Sequence, residues 1–256
     1  MTTRALFVGH GTPMNAIEDN DVTRTWRALG AERTPRAILA VSAHWYTRGT
    51  GVTAMSRPRT IHDFWGFPPE LSQVQYDAPG DPEVAELVRD VAKPTLVEPD
   101  HEWGLDHGTW SVLRHMYPAA DIPVVQLSID ATRPLSDHLD LGTRLARLAT
   151  EHDVLIVGSG NVVHNLSQVN WHAGDTGFTW ADDFDATARD LMLDDPSRIA
   201  ALTDHAAYDA AVPTPDHFLP LAYVAGVAAA LDGDVDVFND HRTMGSLSMT
   251  GFRVAS

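Results

Sequence analysis

His10, His44 and His164 each stand just beyond an apolar run that reads as a buried strand. His10 follows Ala5 to Val8 in Val8-Gly9-His10-Gly11, where the flanking glycines let backbone or ligand come close. His44 follows Ile38 to Ala43, and His164 follows Val154 to Val157 across Gly158-Ser159-Gly160-Asn161. Imidazole is the commonest metal ligand and the one side chain whose unperturbed charge changes near neutral pH. In open α/β sheets ligands bind beyond the carboxyl ends of the strands, so these three rings are expected to converge on one pocket, holding a metal or moving protons. His217 lies in Pro213-Thr214-Pro215-Asp216-His217, where Thr214 or Asp216 is expected to cap a helix with the imidazole in its first turn. His107 sits in Gly104-Leu105-Asp106-His107-Gly108.

One histidine at a strand end ordinarily satisfies backbone groups and does nothing more. Three such coincidences favour a metal site. Competing readings of the same stretch are weaker. Gly158-Ser159-Gly160 is expected to be a turn that starts a helix, but the third glycine of a dinucleotide fingerprint is replaced by Val163. No Gly-x-Ser-x-Gly elbow is centred on Ser159, which removes the usual serine hydrolase signature. His62, in Ile61-His62-Asp63-Phe64-Trp65-Gly66-Phe67, either walls a flat ligand or packs its own loop. His138, His152, His172 and His205 read as solvated surface residues.

The elements that must position these rings follow from periodicity. Strands are expected at 5–8, 37–43, 122–129 and 154–157, with further strands at 235–238 and 247–254 whose antiparallel pairing would make the sheet mixed. Helices are expected at 82–91, 134–150 and 216–231, and Pro82 and Pro134 suit a first turn. The alternation predicts an α/β fold with a mixed central sheet flanked by helices, in a single domain spanning 1–256. The segments 56–79 and 99–107, rich in proline, glycine and aromatic residues, are expected to be functional loops.

Composition narrows the chemistry. The 256 residues include no cysteine, so thiolate nucleophiles, iron–sulfur clusters and cysteine-ligated zinc are excluded, and any metal must rest on His, Asp or Glu. A formal charge of −17 repels phosphate backbones and anionic lipid, which argues against nucleic-acid and membrane partners. No apolar run is long enough to span a membrane, and the amino terminus lacks a signal-peptide pattern, so a soluble cytoplasmic protein is expected. Nothing in the sequence fixes an oligomeric state.

Taken together, HGTP at His10, SAHW at His44, HDFWGFP at His62, GLDHGTW at His107, GSGNVVHNL at His164 and TPDHFLPL at His217 resemble the 4,5-DOPA extradiol dioxygenase family. These are class III, LigB-type ring-cleaving dioxygenases. The six motifs run in the same order from Val8 to Leu221. The resemblance implies a LigB-like α/β domain and a mononuclear non-haem site for one Fe(II) or Zn(II) per chain. It also implies that His10, His44 and His217 are metal ligands, with His164 close to the metal and sometimes counted among them. His107 and His164 match acid/base positions. Many LigB-type enzymes hold iron with two His and one carboxylate, whereas this branch has a histidine, here His217, in the third place.

The expected reaction is insertion of O2 into a catechol-type, DOPA-like substrate, giving a muconic semialdehyde. His164 is the expected base for the catechol proton, and His107 the expected acid or hydrogen-bond donor. Trp45, Phe64, Trp65 and Phe67 are expected to sandwich the ring. An all-imidazole shell also suits zinc, so two other readings stand beside this one: a zinc-dependent hydrolase, and a non-enzymatic metal-binding or interaction protein of the same superfamily.

Overall fold

The structure is a computed structural model that describes every residue from Met1 to Ser256. In chain order the strands are β1 (Thr3–Gly9), β2 (Ala37–Thr47), β3 (Thr50–Thr53), β4 (Arg59–Thr60), β5 (Val97–Asp100), β6 (Gly104–Leu105), β7 (Val124–Asp130), β8 (Val154–Gly160), β9 (Asp234–Phe238), β10 (Arg242–Thr243), β11 (Leu247–Ser248) and β12 (Gly251–Ala255). The helices are α1 (Asp21–Ala31), α2 (Pro69–Ser72), α3 (Pro82–Val91), α4 (His107–Met116), α5 (Leu135–Glu151), α6 (Thr179–Asp194), α7 (Tyr208–Ala211) and α8 (Leu219–Leu231).

Eight strands form one sheet in the order β5-β3-β7-β2-β8-β1-β12-β9. The central four, β7, β2, β8 and β1, are parallel, while β3 and β12 join them antiparallel, so the sheet is mixed as the sequence predicts. Continuous apolar runs suit strands covered on both faces. Successive side chains alternate between the two sides: Ala5 and Phe7 pack with α3, α5, α6 and α8, whereas Leu6 and Val8 pack with α1 and α4. β2 and β8 divide in the same way, with Leu39 and Ile156 on the first side and Ala40 and Val157 on the second.

Local signals explain the helices that matter to the site. Asp106 caps α4 by accepting from Thr109 N at 3.1 Å, and Asp81 caps α3 with Pro82 in the first turn. Helix α8 is apolar all round and buried from Leu219 to Ala228, as expected of a helix inside the core. Each fully buried Leu or Val there contributes about 1.5–3 kcal/mol, which anchors the turn that carries His217. No helix is long and apolar enough to cross a membrane.

Four local expectations fail for identifiable reasons. Residues 158–160 do not start a helix, because β8 keeps pairing with β1 through Gly9 and Gly160. Helix α8 begins at Leu219 rather than Asp216: Phe218 and Leu219 N–H both bond Pro215 O in a tight turn, and the Asp216 carboxylate is engaged by His217 instead of capping. The segment 247–254 divides into β11 and β12, which pair with different strands. His138 is buried, not solvated, and its Nδ1 lies 2.9 Å from the Tyr223 hydroxyl between α5 and α8.

Candidate metal centre and active site

Five imidazoles, those of His10, His44, His107, His164 and His217, line one cavity of about 560 Å3 at the carboxyl edge of the central strands. His10 immediately follows β1. His44 lies near the end of β2 where the ladder breaks: pairing with β8 stops at Ser42, and pairing with β7 jumps from Val41–Leu127 to Tyr46–Ile129. Such a bulge re-aims side chains. His107 is the first residue of α4, and His164 follows β8 after a bend at Val162 and Val163 and is tied to β11 by a bridge to Leu247. His217 occupies the turn before α8.

One nitrogen from each of His10, His44 and His107 lies within 4.8 Å of the others. The His44 and His10 Nε2 atoms are 3.3 Å apart. His217 sits beside this trio, its ring centroid 5.2 Å from His10 and 5.0 Å from His44. His164 stacks on His217 with centroids 3.5 Å apart and planes 3° from parallel. Two glycines make the crowding possible. A Cβ on Gly108 would lie 2.5 Å from Ser42 Oγ and 2.9 Å from His44 Cδ2, and one on Gly160 would lie 2.1 Å from His217 O.

The partners behind the rings set their tautomers. Ser159 donates its one hydroxyl proton to Gly108 O at 2.6 Å, so it accepts from His10 Nδ1 at 2.9 Å, and His10 Nε2 is left bare toward the cavity. Asp216, an acceptor when ionised, holds His217 Nδ1 and leaves its Nε2 bare in the same way. Asp63 faces two rings at once: Oδ1 is 2.9 Å from His107 Nδ1, and Oδ2 is 3.5 Å from His44 Nδ1. Oδ1 also accepts from His107 N at 3.0 Å. Hydroxyl and carboxylate groups behind metal-binding imidazoles commonly orient the ring and raise its basicity.

Burial, followed by the neighbouring imidazoles, holds His10 and His44 well below the ordinary histidine range. Burial and then His217 bring His164 down to about 3, against a smaller opposing effect of Asp216. These rings are neutral at working pH, which metal ligation requires. Burial alone would raise Asp216 and Asp63, but hydrogen bonds and charge from His217 and His107, respectively, outweigh it; Asp216 falls to about 2. The start of α4 is fixed by a deeper network. Asp106 accepts from Ser42 Oγ at 2.7 Å and from Gln126 Nε2, while Gln126 Oε1 accepts from Thr109 Oγ1 at 3.0 Å. Burial, with the charge of Asp63, pushes Asp106 up to about 6.

All five histidines singled out in the sequence therefore reach one cavity. Of the expected aromatic walls, Phe64, Trp65 and Phe67 line it, whereas Trp45 is buried elsewhere, stacked on Trp103 at 5.4 Å. His62 packs its own loop, with Nε2 2.8 Å from Val74 O; its neighbour Asp63 is the residue that reaches the site. The sequence reading gives no role at the site to Asp63, Ser159 or the Asp106–Gln126 pair. Only the adjacency of Asp63 to an aromatic loop, and of Asp106 to His107, pointed toward them.

A carboxylate serves both His44 and His107 because both of its oxygens accept; an amide has one acceptor and one donor. Asp63→Asn is therefore expected to lower affinity for a divalent metal about 10- to 100-fold. Calorimetric titration of metal-free protein with Zn(II) measures this, and unchanged affinity would show that Asp63 does not orient the ligands.

A family model described as the catalytic LigB subunit of aromatic ring-opening dioxygenase matches residues 4–253. A protein of Escherichia coli (strain K12) named 4,5-DOPA dioxygenase extradiol is 47% identical over 258 residues, covering 98% of this chain and 94% of its own. A Beta vulgaris protein of the same name is 36% identical over 259 residues, covering 98% and 96%. The crystal structure of uncharacterized protein JW3007 from Escherichia coli K12 superposes with a TM-score of 0.86 at 41% identity, over 99% of this chain and 100% of that one.

Proposed function

The chain belongs to the LigB family of aromatic ring-opening dioxygenases, and from that membership we propose that it is an extradiol enzyme adding O2 to a DOPA-like catechol to give a muconic semialdehyde. The observation that carries this reading is the cluster of imidazoles, three with nitrogens within 4.8 Å of one another, on the wall of a largely apolar cavity large enough for a catechol. We read the whole chain, 1–256, as one catalytic domain and as a cytoplasmic enzyme.

The donor set fits a single divalent metal. His10, His44 and His217 come from three different elements, and Ser159, Asp63 and Asp216 stand behind their Nδ1 atoms. When bound, Fe(II) supplies the redox chemistry that lets O2 react with the diol, which Zn(II) lacks. One observation favours a second assignment: His107, not His217, completes the most compact trio.

The other residues handle protons and the ring. His164, kept neutral by burial, offers a lone pair to the catechol hydroxyl proton as substrate arrives. His107, with the Asp63 carboxylate 2.9 Å from its Nδ1, is the residue assigned as acid or hydrogen-bond donor to the reacting oxygen. Phe64, edge-on to His107 at 5.6 Å, and Phe67 wall the aromatic ring. Both oxygen atoms enter the product and the ring opens beside the diol, leaving a conjugated semialdehyde.

Protein loaded with Fe(II) under anaerobic conditions and then exposed to air with DOPA, protocatechuate or homoprotocatechuate is expected to consume one O2 per catechol and turn yellow. Zn(II) protein is expected to do neither. Hydrolysis of an ester or amide by the Zn(II) form, with no O2 uptake by verified Fe(II) protein, would replace this reading with the hydrolase.

A further inference from the structure

The hairpin β10–β11 closes on a short loop, Met244, Gly245 and Ser246, between the paired Thr243 and Leu247. The first two loop residues have left-handed backbones, with φ of 52° at Met244 and 80° at Gly245. Gly245 has a packing reason to lack a side chain as well, since a Cβ there would lie 2.7 Å from carbons of the Phe178 ring. At Met244 the same backbone region carries a long, unbranched side chain. Gly, Asn or Asp is the ordinary occupant of such a position, because the Cβ of other residues crowds the following carbonyl.

The surroundings impose this conformation. Asn170 N–H donates to Met244 O and Met244 N–H donates to Gly174 O, both at 2.8 Å, so the loop that carries Trp171 holds both backbone groups of Met244. Gly245 N–H donates to Thr176 O at 3.0 Å, and Phe178 N–H donates to Gly245 O at 2.7 Å. On the other strand, Leu247 bridges to His164, which ties the hairpin to the imidazole cluster. All of these bonds are made by backbone atoms, and none uses the methionine side chain. Nor does the thioether serve the core: Met244 belongs to neither apolar cluster on the faces of the sheet. What it does line is the imidazole cavity, together with Leu247 and Trp171, and an adjoining cavity of about 630 Å3. Only Thr12, Met14 and Met244 line both, which places Met244 where the two cavities meet.

Strained residues persist where the structure around them over-determines their conformation, and they gather at ligand sites. We propose that Met244 is a specificity-determining residue, held left-handed so that its thioether meets the ring substituent of the bound catechol where the two cavities join. On the dioxygenase reading, on which this rests, the diol faces the imidazoles and the substituent points away from them. An unbranched, polarisable side chain suits that place, because it follows the shape of an aliphatic arm and also packs well on an aromatic edge. Met244 thus keeps backbone strain in exchange for contact with substrate, so replacing it has effects of opposite sign on stability and on binding.

Met244→Gly and Met244→Asn relieve the strain and remove the thioether, while Met244→Leu keeps an apolar side chain of similar volume. Titration calorimetry on Zn(II)-loaded protein reads the dissociation constants of catechol and 4-ethylcatechol without turnover, and scanning calorimetry reads Tm. Met244→Gly and Met244→Asn are expected to raise Tm by about 1–4 °C. Both are expected to weaken 4-ethylcatechol binding about tenfold, against about threefold or less for catechol, which has no substituent to lose contact. Met244→Leu is expected to recover most of the lost affinity. In Fe(II) protein the same loss appears in kcat/KM for 4-ethylcatechol and DOPA, carried by KM. Equal weakening of the two catechols, or unchanged affinity for both, in whichever variant folds, would overturn the proposal. A fall in Tm with no selective loss of 4-ethylcatechol would make Met244 a residue of the fold alone and overturn it too. The expected binding order without O2 uptake by Fe(II) protein would leave the role of Met244 standing and remove the dioxygenase reading.

Discussion

Replacing His10, His44 or His217 by alanine is expected to weaken metal binding roughly 10²- to 10⁴-fold, since each removes one of few strong donors. Ring opening should disappear with the metal. The fold should persist, because the core lies along the sheet and its helices, away from the cavity-facing Nε2 atoms. Elemental analysis of dialysed protein, with circular dichroism as a check on folding, reads both. Full occupancy in all three variants would contradict the ligand set. The same measurement decides between the third ligands: metal lost from His107→Ala but retained in His217→Ala makes the compact trio the binding site.

The second large effect concerns protons. His164→Ala and His107→Ala are each expected to lower kcat by about 10² to 10⁴, the usual contribution of general acid–base catalysis, while metal content falls less than in His10→Ala. For His164 the expectation follows from its place: stacked on His217, neutral, and on the cavity wall, with no carboxylate holding its ring. For His107 it follows from its place on the cavity wall, oriented by the Asp63 carboxylate 2.9 Å from its Nδ1. If His164→Ala loses metal as completely as His10→Ala, His164 is a fourth ligand and the proton must go elsewhere.

The central parallel strands and the convergence of the histidines were legible because both follow from short-range pattern. Runs such as Val154 to Val157 admit few other structures, and ligand residues in open sheets gather where strands end. What escaped depends on long-range pairing. Whether 158–160 turns into a helix or stays in the sheet is decided by Gly9 across the ladder, not by the glycines themselves. The bulge that turns His44 arises from the mismatch between β2 and β7, invisible in either strand alone. Asp216 reads as a helix cap until His217 competes for its carboxylate. Asp63 is separated by 44 residues from the His107 backbone it accepts from, and its place beside an aromatic loop does not reveal that reach. His138 reads as polar surface because the hydroxyl that satisfies it, on Tyr223, lies 85 residues away.

The most direct test of the account is the fate of the oxygen atoms. Fe(II)-loaded protein is incubated with 4-ethylcatechol under ¹⁸O2, and the ring-opened product is trapped and weighed by mass spectrometry before its aldehyde exchanges with water. The account predicts that both atoms of one O2 molecule are found in a single product, one in the new carboxylate and one in the aldehyde. A product carrying one labelled atom or none, or an unlabelled quinone formed from intact catechol, would contradict it.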